Sequence, residues 1–259
     1  MTDHIIVSKN GAIMRLRFNR PDKKNAITVA MYKTLADGLI EADRDREVRA
    51  VLFESEGDIY SAGNDIADFM AGDPARDDPH ATPEVVRFLE AIATANKPLV
   101  AAVQGPAVGV GVTMLLHCDL VYASDKATFH APFVDLALVP EAASSLLLPR
   151  LAGHQRAAEM FLLGRKIDAA RACAFGLVNE VVAPDALSAT ALAAATALSE
   201  KAPTALQLSK RLMKGDRDEI LNHMREEGEH FAAQLKSPEF MEAGVAFMQK
   251  RKPDFSKVG

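Results

Sequence analysis

Two short loops constrain this chain more than any other feature: Ser61-Ala62-Gly63-Asn64-Asp65 and Gly105-Pro106-Ala107-Val108-Gly109-Val110-Gly111. Each follows an apolar run with the composition of a buried strand, residues 50–53 before the first and 99–103 before the second. Glycine at these points opens backbone dihedrals closed to other residues and lets neighbouring groups approach closely. Such loops can turn two backbone N–H groups towards one point, which stabilises charge developing on a carbonyl oxygen. The same residues also serve as ordinary punctuation between strand and helix. Other loop chemistries fit poorly. Met114 stands where a dinucleotide fingerprint needs its third glycine, and no Gly-Lys-Ser/Thr phosphate loop or Gly-x-Ser-x-Gly elbow occurs.

The surrounding pattern is α/β. Asn10-Gly11 is a hairpin signal between strand-like runs at 5–9 and 13–18. Thr28 is placed to cap a helix in which Tyr32, Leu35, Leu39 and Ala42 recur at steps of three and four. A helix is expected from Gly111 to near His117, then a strand through Tyr122. That alternation predicts a strand–helix core with its loops gathered at one end of the strands. Residues 71–83, with Gly72, Pro74, Pro79 and Pro83, read as a surface segment, either a lid or a solvated insertion. From about Pro184 the pattern is helical. Residues 216–235 carry Ile220, Met224, Phe231 and Leu235 on one face, with Phe240, Val245 and Met248 beyond. Those faces must fold back on the core or meet another subunit.

Composition excludes several classes. With 49% apolar and 25% charged residues, the chain can bury an ordinary core. A formal charge of −5 with dispersed Lys and Arg gives no basis for nucleic-acid binding. Cys118 and Cys173 alone make no disulfide framework and suit a reducing compartment. There is no secretory signal pattern, no apolar run long enough for a bilayer, and no Ser-Lys-Leu ending, so a cytoplasmic location is expected.

Four segments in register narrow the reading: Asn19-Arg20-Pro21-Asp22-Lys23-Lys24-Asn25-Ala26-Ile27, the two loops taken together, His117-Cys118-Asp119-Leu120-Val121-Tyr122-Ala123-Ser124, and Ala174-Phe175-Gly176-Leu177-Val178-Asn179-Glu180-Val181. Along nearly its whole length the chain resembles the crotonase (enoyl-CoA hydratase/isomerase) superfamily. The resemblance is strongest to the peroxisomal-type Δ3,Δ2-enoyl-CoA isomerases, through Lys23–Ile27, the Asn64-Asp65 loop and Pro140-Glu141. It implies a ββα spiral core over residues 1–200 that binds acyl-CoA and a helical oligomerisation region over 201–259, assembled as a homotrimer or hexamer. It also implies coenzyme A as part of the substrate, with no separate cofactor and no metal. The Asn64 and Val110 N–H groups would form the oxyanion hole. Lys24, Ala26, Ala62, Gly63, Asn64, Asp65, Ile66, Gly109 and Val110 would contact substrate. Hydratases of the family keep two glutamates at positions that are Thr113 and Phe133 here, whereas Glu141 matches the single base of the isomerases. The implied reaction moves the double bond of a 3-enoyl-CoA to the 2-position. The alternatives are a hydratase or another lyase or hydrolase of the superfamily and, from a different class, a non-catalytic acyl-CoA binder or scaffold.

The residues also admit plainer roles. An acid after Pro140 suits the first turn of a helix, although apolar Leu138, Val139, Ala142 and Ala143 would raise the Glu141 pKa. Asp65 suits a cap or a loop-orienting role, and Asp135 a second acid or an ordinary loop carboxylate. His117, Cys118 and Asp119 are ligand types, but their adjacency at a helix end argues against a metal site. His130 reads as a local hydrogen-bonding residue. Lys23 and Lys24 suit either CoA phosphates or a solvated turn.

Overall fold

The computed structural model describes residues 4–65, 67–68, 81–249 and 251–258, so the expected contact Ile66 and most of the 71–83 segment lie outside the described residues. Asn10-Gly11 closes the expected hairpin: β1 (Ile5–Asn10) pairs antiparallel with β2 (Ile13–Phe18), Ile5 opposite Phe18 and Asn10 opposite Ile13. Thr28, in extended conformation, accepts the Met31 N–H and starts α1 (Val29–Arg44), which buries Tyr32, Leu35, Leu39 and Ala42 at the predicted spacing.

Beyond α1 the chain lays β3 (Ala50–Ser55), α2 (Glu84–Thr94), β4 (Leu99–Val103) and β5 (Ala107–Val108). The helix expected after Gly111 is one turn, α3 (Val110–Thr113), which tightens into 3₁₀ geometry over Met114–His117. Then come β6 (Leu120–Ser124), β7 (Thr128–His130), α4 (Ser144–Ala152), α5 (His154–Phe161), β8 (Ile167–Asp168), α6 (Ala169–Ala174) and β9 (Glu180–Val182). The C-terminal helices are α7 (Leu187–Ser199), α8 (Pro203–Lys214), α9 (Arg217–Gln234) and α10 (Pro238–Met248).

The main sheet has the order β1-β2-β3-β4-β6-β9 and is parallel from β2 onwards; β5-β7-β8 form a second, smaller sheet. Period-two alternation divides the strand residues between two faces. Met14, Leu16, Phe18, Val51, Phe53, Leu99, Ala101 and Val103 join the large core under α1 and α2. Their neighbours Ala50, Leu52, Val100 and Ala102 pack on the other face against Leu187, Ala191 and Ala195 of α7. Because β3 and β4 are adjacent and parallel, the loops that follow them leave from the same end of the sheet. Met224, Phe231, Leu235 and Phe240 fold back onto the core, one of the two outcomes expected for the C-terminal faces.

Candidate active site

The two loops are stitched side by side by parallel bridges. Val108 N–H donates to the Ser61 carbonyl (2.9 Å), and Ser61 N–H donates to the Pro106 carbonyl (3.2 Å). A second bridge pairs Asn64 with Ile27: Ile27 N–H donates to the Gly63 carbonyl (2.8 Å) and Asp65 N–H to the Ile27 carbonyl (2.9 Å). A parallel register of this kind uses the groups on either side of Asn64 and turns Asn64's own N–H to the opposite side. Gly63 there has φ +85°, and a Cβ on it would stand 3.0 Å from the Val108 carbonyl oxygen, so only glycine lets the loops touch. Gly109, at φ +55° and ψ −121°, makes the turn that delivers Val110 as the first residue of α3. Its N–H donates to the His130 carbonyl (2.9 Å), and its carbonyl accepts from Val112 and Thr113. The first N–H of a helix has no partner within it. Among the described residues, neither the Asn64 nor the Val110 N–H is donated to a protein acceptor.

A third segment supports the first loop. Buried Asn25, at φ +52°, accepts the Arg20 N–H through Oδ1 (2.9 Å) and donates through Nδ2 to the Glu56 and Ile59 carbonyls (2.8 and 2.7 Å). Ser61 Oγ donates to the Asn25 carbonyl and accepts the Gly63 N–H. Lys24 is exposed; its carbonyl accepts the Ala62 N–H (3.0 Å), while Lys23 lies on an exposed 3₁₀ turn. Ala26 offers its carbonyl to Arg20 (3.0 Å), whose guanidinium also pairs with Asp65 (2.7 Å). Asp65 therefore does both things considered for it: it ties the loop to Arg20 and accepts the Asp68 N–H (3.1 Å). The Arg20 hydrogen bond, aided by that N–H, holds its carboxyl below the usual range.

Glu141 lies in a tight turn before α4, which begins only at Ser144, so the expected first-turn helical placement after Pro140 does not occur. Both following residues, Ala142 and Ala143, take left-handed dihedrals (φ +64° and +53°). Such strain persists only where the surroundings hold it. The Glu141 residue is partly accessible, yet its carboxyl is enclosed enough that burial pushes its pKa up to about 7, partly offset by a hydrogen bond from Thr113. Thr113 Oγ1, itself fully buried, donates to Glu141 Oε1 at 2.6 Å. The sequence suggested only that a family carboxylate is missing at Thr113; the structure shows that the threonine holds the carboxylate that remains. Tyr32, buried in α1, donates its hydroxyl to Asn64 Oδ1. Burial, with Glu141 nearby, pushes that phenol well above its ordinary pKa, so it stays a neutral donor. Tyr32 thus links the first loop to the Glu141 region, a role its place in the apolar stripe of α1 concealed.

The remaining candidates fall elsewhere. Phe133, the second position compared with hydratases, packs edge-on against Phe161. Asp135 lies against Gly164, and His130 Nε2 donates to the Gly164 carbonyl (2.9 Å), a hydrogen-bonding role as expected but to a partner 34 residues away rather than a local one. Burial, with Lys214 and Lys210 nearby, lowers the His117 pKa to about 3. Its neutral ring donates from Nε2 to the Ala142 carbonyl (2.8 Å), bracing the strained turn. Burial pushes the Cys118 thiol up to about 12, and Asp119 accepts the Leu99 N–H and pairs with Lys210 (2.7 Å). Among the described residues, no group of three or more His, Cys, Asp or Glu side chains is arranged to hold a metal, and no helix is long and apolar enough to cross a membrane.

The family model described as enoyl-CoA hydratase/isomerase matches residues 8–258. Enoyl-CoA delta isomerase 2 of Rattus norvegicus is 40% identical over 225 residues, covering 86% of this chain but 57% of the relative, so the chain spans little more than half that protein's length. The 2,3-dehydroadipyl-CoA hydratase of Escherichia coli (strain K12) is 31% identical over 97% of this chain and 98% of its own. A solved enoyl-CoA hydratase/isomerase from Pseudoalteromonas atlantica T6c superposes with a TM-score of 0.92 at 46% identity, covering 98% of this chain and 100% of that one. The crotonase-type fold implied by the sequence resemblance therefore extends over the chain.

Proposed function

We propose that this chain, which belongs to the enoyl-CoA hydratase/isomerase family, moves the double bond of a 3-enoyl-CoA thioester into conjugation with its carbonyl. In this reading the Asn64 and Val110 N–H groups hold the thioester oxygen. Glu141, as carboxylate, takes a proton from C2; the electron pair of the broken C–H bond delocalises into a dienolate whose charge rests on that oxygen. Glu141 then returns the same proton to C4, so no water or redox partner enters the balance. The supporting observation is the Glu141 carboxyl, anchored through one oxygen by Thr113 and poised near pH 7 by burial. A general base works best with a pKa close to the working pH, and each oxyanion donor is typically worth about 3–4 kcal/mol in the transition state. Similarity to the rat delta isomerase supports this assignment.

Similarity to the Escherichia coli hydratase over nearly the full length supports a second reading, addition of water to a 2-enoyl-CoA. Separate incubation with 3-enoyl- and 2-enoyl-CoA distinguishes them. The isomerase reading expects conversion of the first and little hydration of the second; hydration without isomerisation would reject it. Exposed Leu162, Leu163, Leu212, Met213, Met241 and Met248 support assembly of copies into the trimer or hexamer that the resemblance implies.

A further inference from the structure

We infer that Glu227 of α9 is a positioning residue for Glu141: its carboxyl caps the helix following the Glu141 turn and places a second acidic group beside the proton-transfer site. The inference rests on Glu141 being the base proposed above.

Glu227 is only 6% exposed, although α9 otherwise turns Ile220, Met224 and Phe231 inward. A carboxylate on that face carries a desolvation cost, so its partners should account for it. Its Oε1 accepts the Ser145 N–H (2.9 Å) and the Ser145 hydroxyl (2.5 Å). The N-cap of α4, Ala143, has no capping side chain, so Glu227 supplies the cap from a different helix. The strained turn is thus braced twice, by His117 at the Ala142 carbonyl and by Glu227 at Ser145.

Capping alone does not require a charge, since a glutamine could accept the same N–H. Yet Glu227 Oε2 is buried without a partner among the described residues. The residue lines a cavity of about 140 Å³ together with Val139 and Pro140, which lead directly into Glu141. Ser145 and His223 also line it, but they do not make a nucleophilic triad. The Ser145 hydroxyl hydrogen goes to Glu227, so His223 Nε2 donates to the Ser145 oxygen (2.7 Å); the Glu227 oxygen lies 3.7 Å from that same nitrogen rather than at the far side of the ring. The remaining role for the charge is electrostatic. A like charge nearby disfavours ionisation of Glu141 and supplements its burial. The titratable groups around the pair are Tyr32 from α1 and His117 from the 3₁₀ turn, both neutral, with His223, Glu226 and His230 of α9 on the cavity side.

The test compares the wild-type chain with Glu227→Gln and Glu227→Ala. It reads kcat/KM for a 3-enoyl-CoA against pH, and separately follows the Glu141 carboxyl by ¹³C NMR titration. Glu227→Gln keeps the cap and removes the charge. It should move both the acidic limb and the Glu141 titration down by roughly 0.5–1 pH unit. Glu227→Ala should in addition lower kcat about tenfold at all pH values through loss of the cap. An unmoved Glu141 titration in the folded Gln variant overturns the inference. A shifted titration in a protein that does not isomerise 3-enoyl-CoA would uphold the positioning and instead sink the reaction assigned to Glu141.

Discussion

Glu141 carries a stability consequence of its own. Burial raises its folded-state pKa from 4.5 to about 7, so between those values the folded protein binds a proton that the unfolded chain releases. Stability linked to this group is fully present below pH 4.5, falls as pH rises, and is lost once pH passes about 7. Glu141→Gln removes that dependence. Thermal unfolding should therefore show the variant more stable than wild type at pH 8, with the difference disappearing towards pH 4.5; equal stabilities at both pH values would show that the carboxyl is not desolvated. Neighbouring residues fix how this side chain is presented, since Thr113 occupies one oxygen and His117 and Glu227 brace the strained turn on either side. Of these, Glu141 was readable as the base and His117 only as a ligand type at a helix end. Thr113 registered as an absence, and Asn25 as part of a motif rather than as the three-way tether it is.

Among the elements, the hairpin, the capped α1 and the two strand–loop units were legible because each rests on a local rule: a turn dipeptide, an N-cap, a period of residues. The C-terminal helices were legible only in their apolar faces. What seats α8 is Lys210, 4% exposed, which donates to the Lys97 carbonyl (2.6 Å) and pairs with Asp119. A lysine or glutamate inside a helical segment reads as solvated unless its tertiary partner is known, which is why Lys210 and Glu227 escaped the sequence. Lys214 extends the same seam to the His117 carbonyl, and burial lowers its pKa to about 8. Lys210→Met keeps the aliphatic stem but leaves Asp119 without its cation. Breaking a buried pair in this way should cost about 3 kcal/mol, measured as a lowered urea midpoint with unchanged slope. A cost below about 1 kcal/mol would mean that α8 is held by its apolar contacts instead.

For the molecule as a whole, the parallel sheet and the second small sheet bring distant segments to one place. Residues 24–27, 61–65, 107–113 and 141 meet because β3 and β4 end side by side and the loops after them are bridged in parallel. The sequence resemblance anticipated this convergence through its matched motifs. It could not supply the contact between Thr113 and Glu141 or the bond between Tyr32 and Asn64, which depend on how α1 and α3 pack around the loops. In the proposed reaction one carboxylate shuttles the proton while two main-chain amides hold the enolate. The most direct measurement is isomerisation of a 3-enoyl-CoA by wild type and Glu141→Gln across pH 5–9. Wild-type kcat/KM should rise with pH as Glu141 loses its proton near pH 7, whereas the variant should lack that rise and lie about 10³-fold below the wild-type alkaline plateau. A Gln variant that still moves the double bond at close to the wild-type rate would contradict the account.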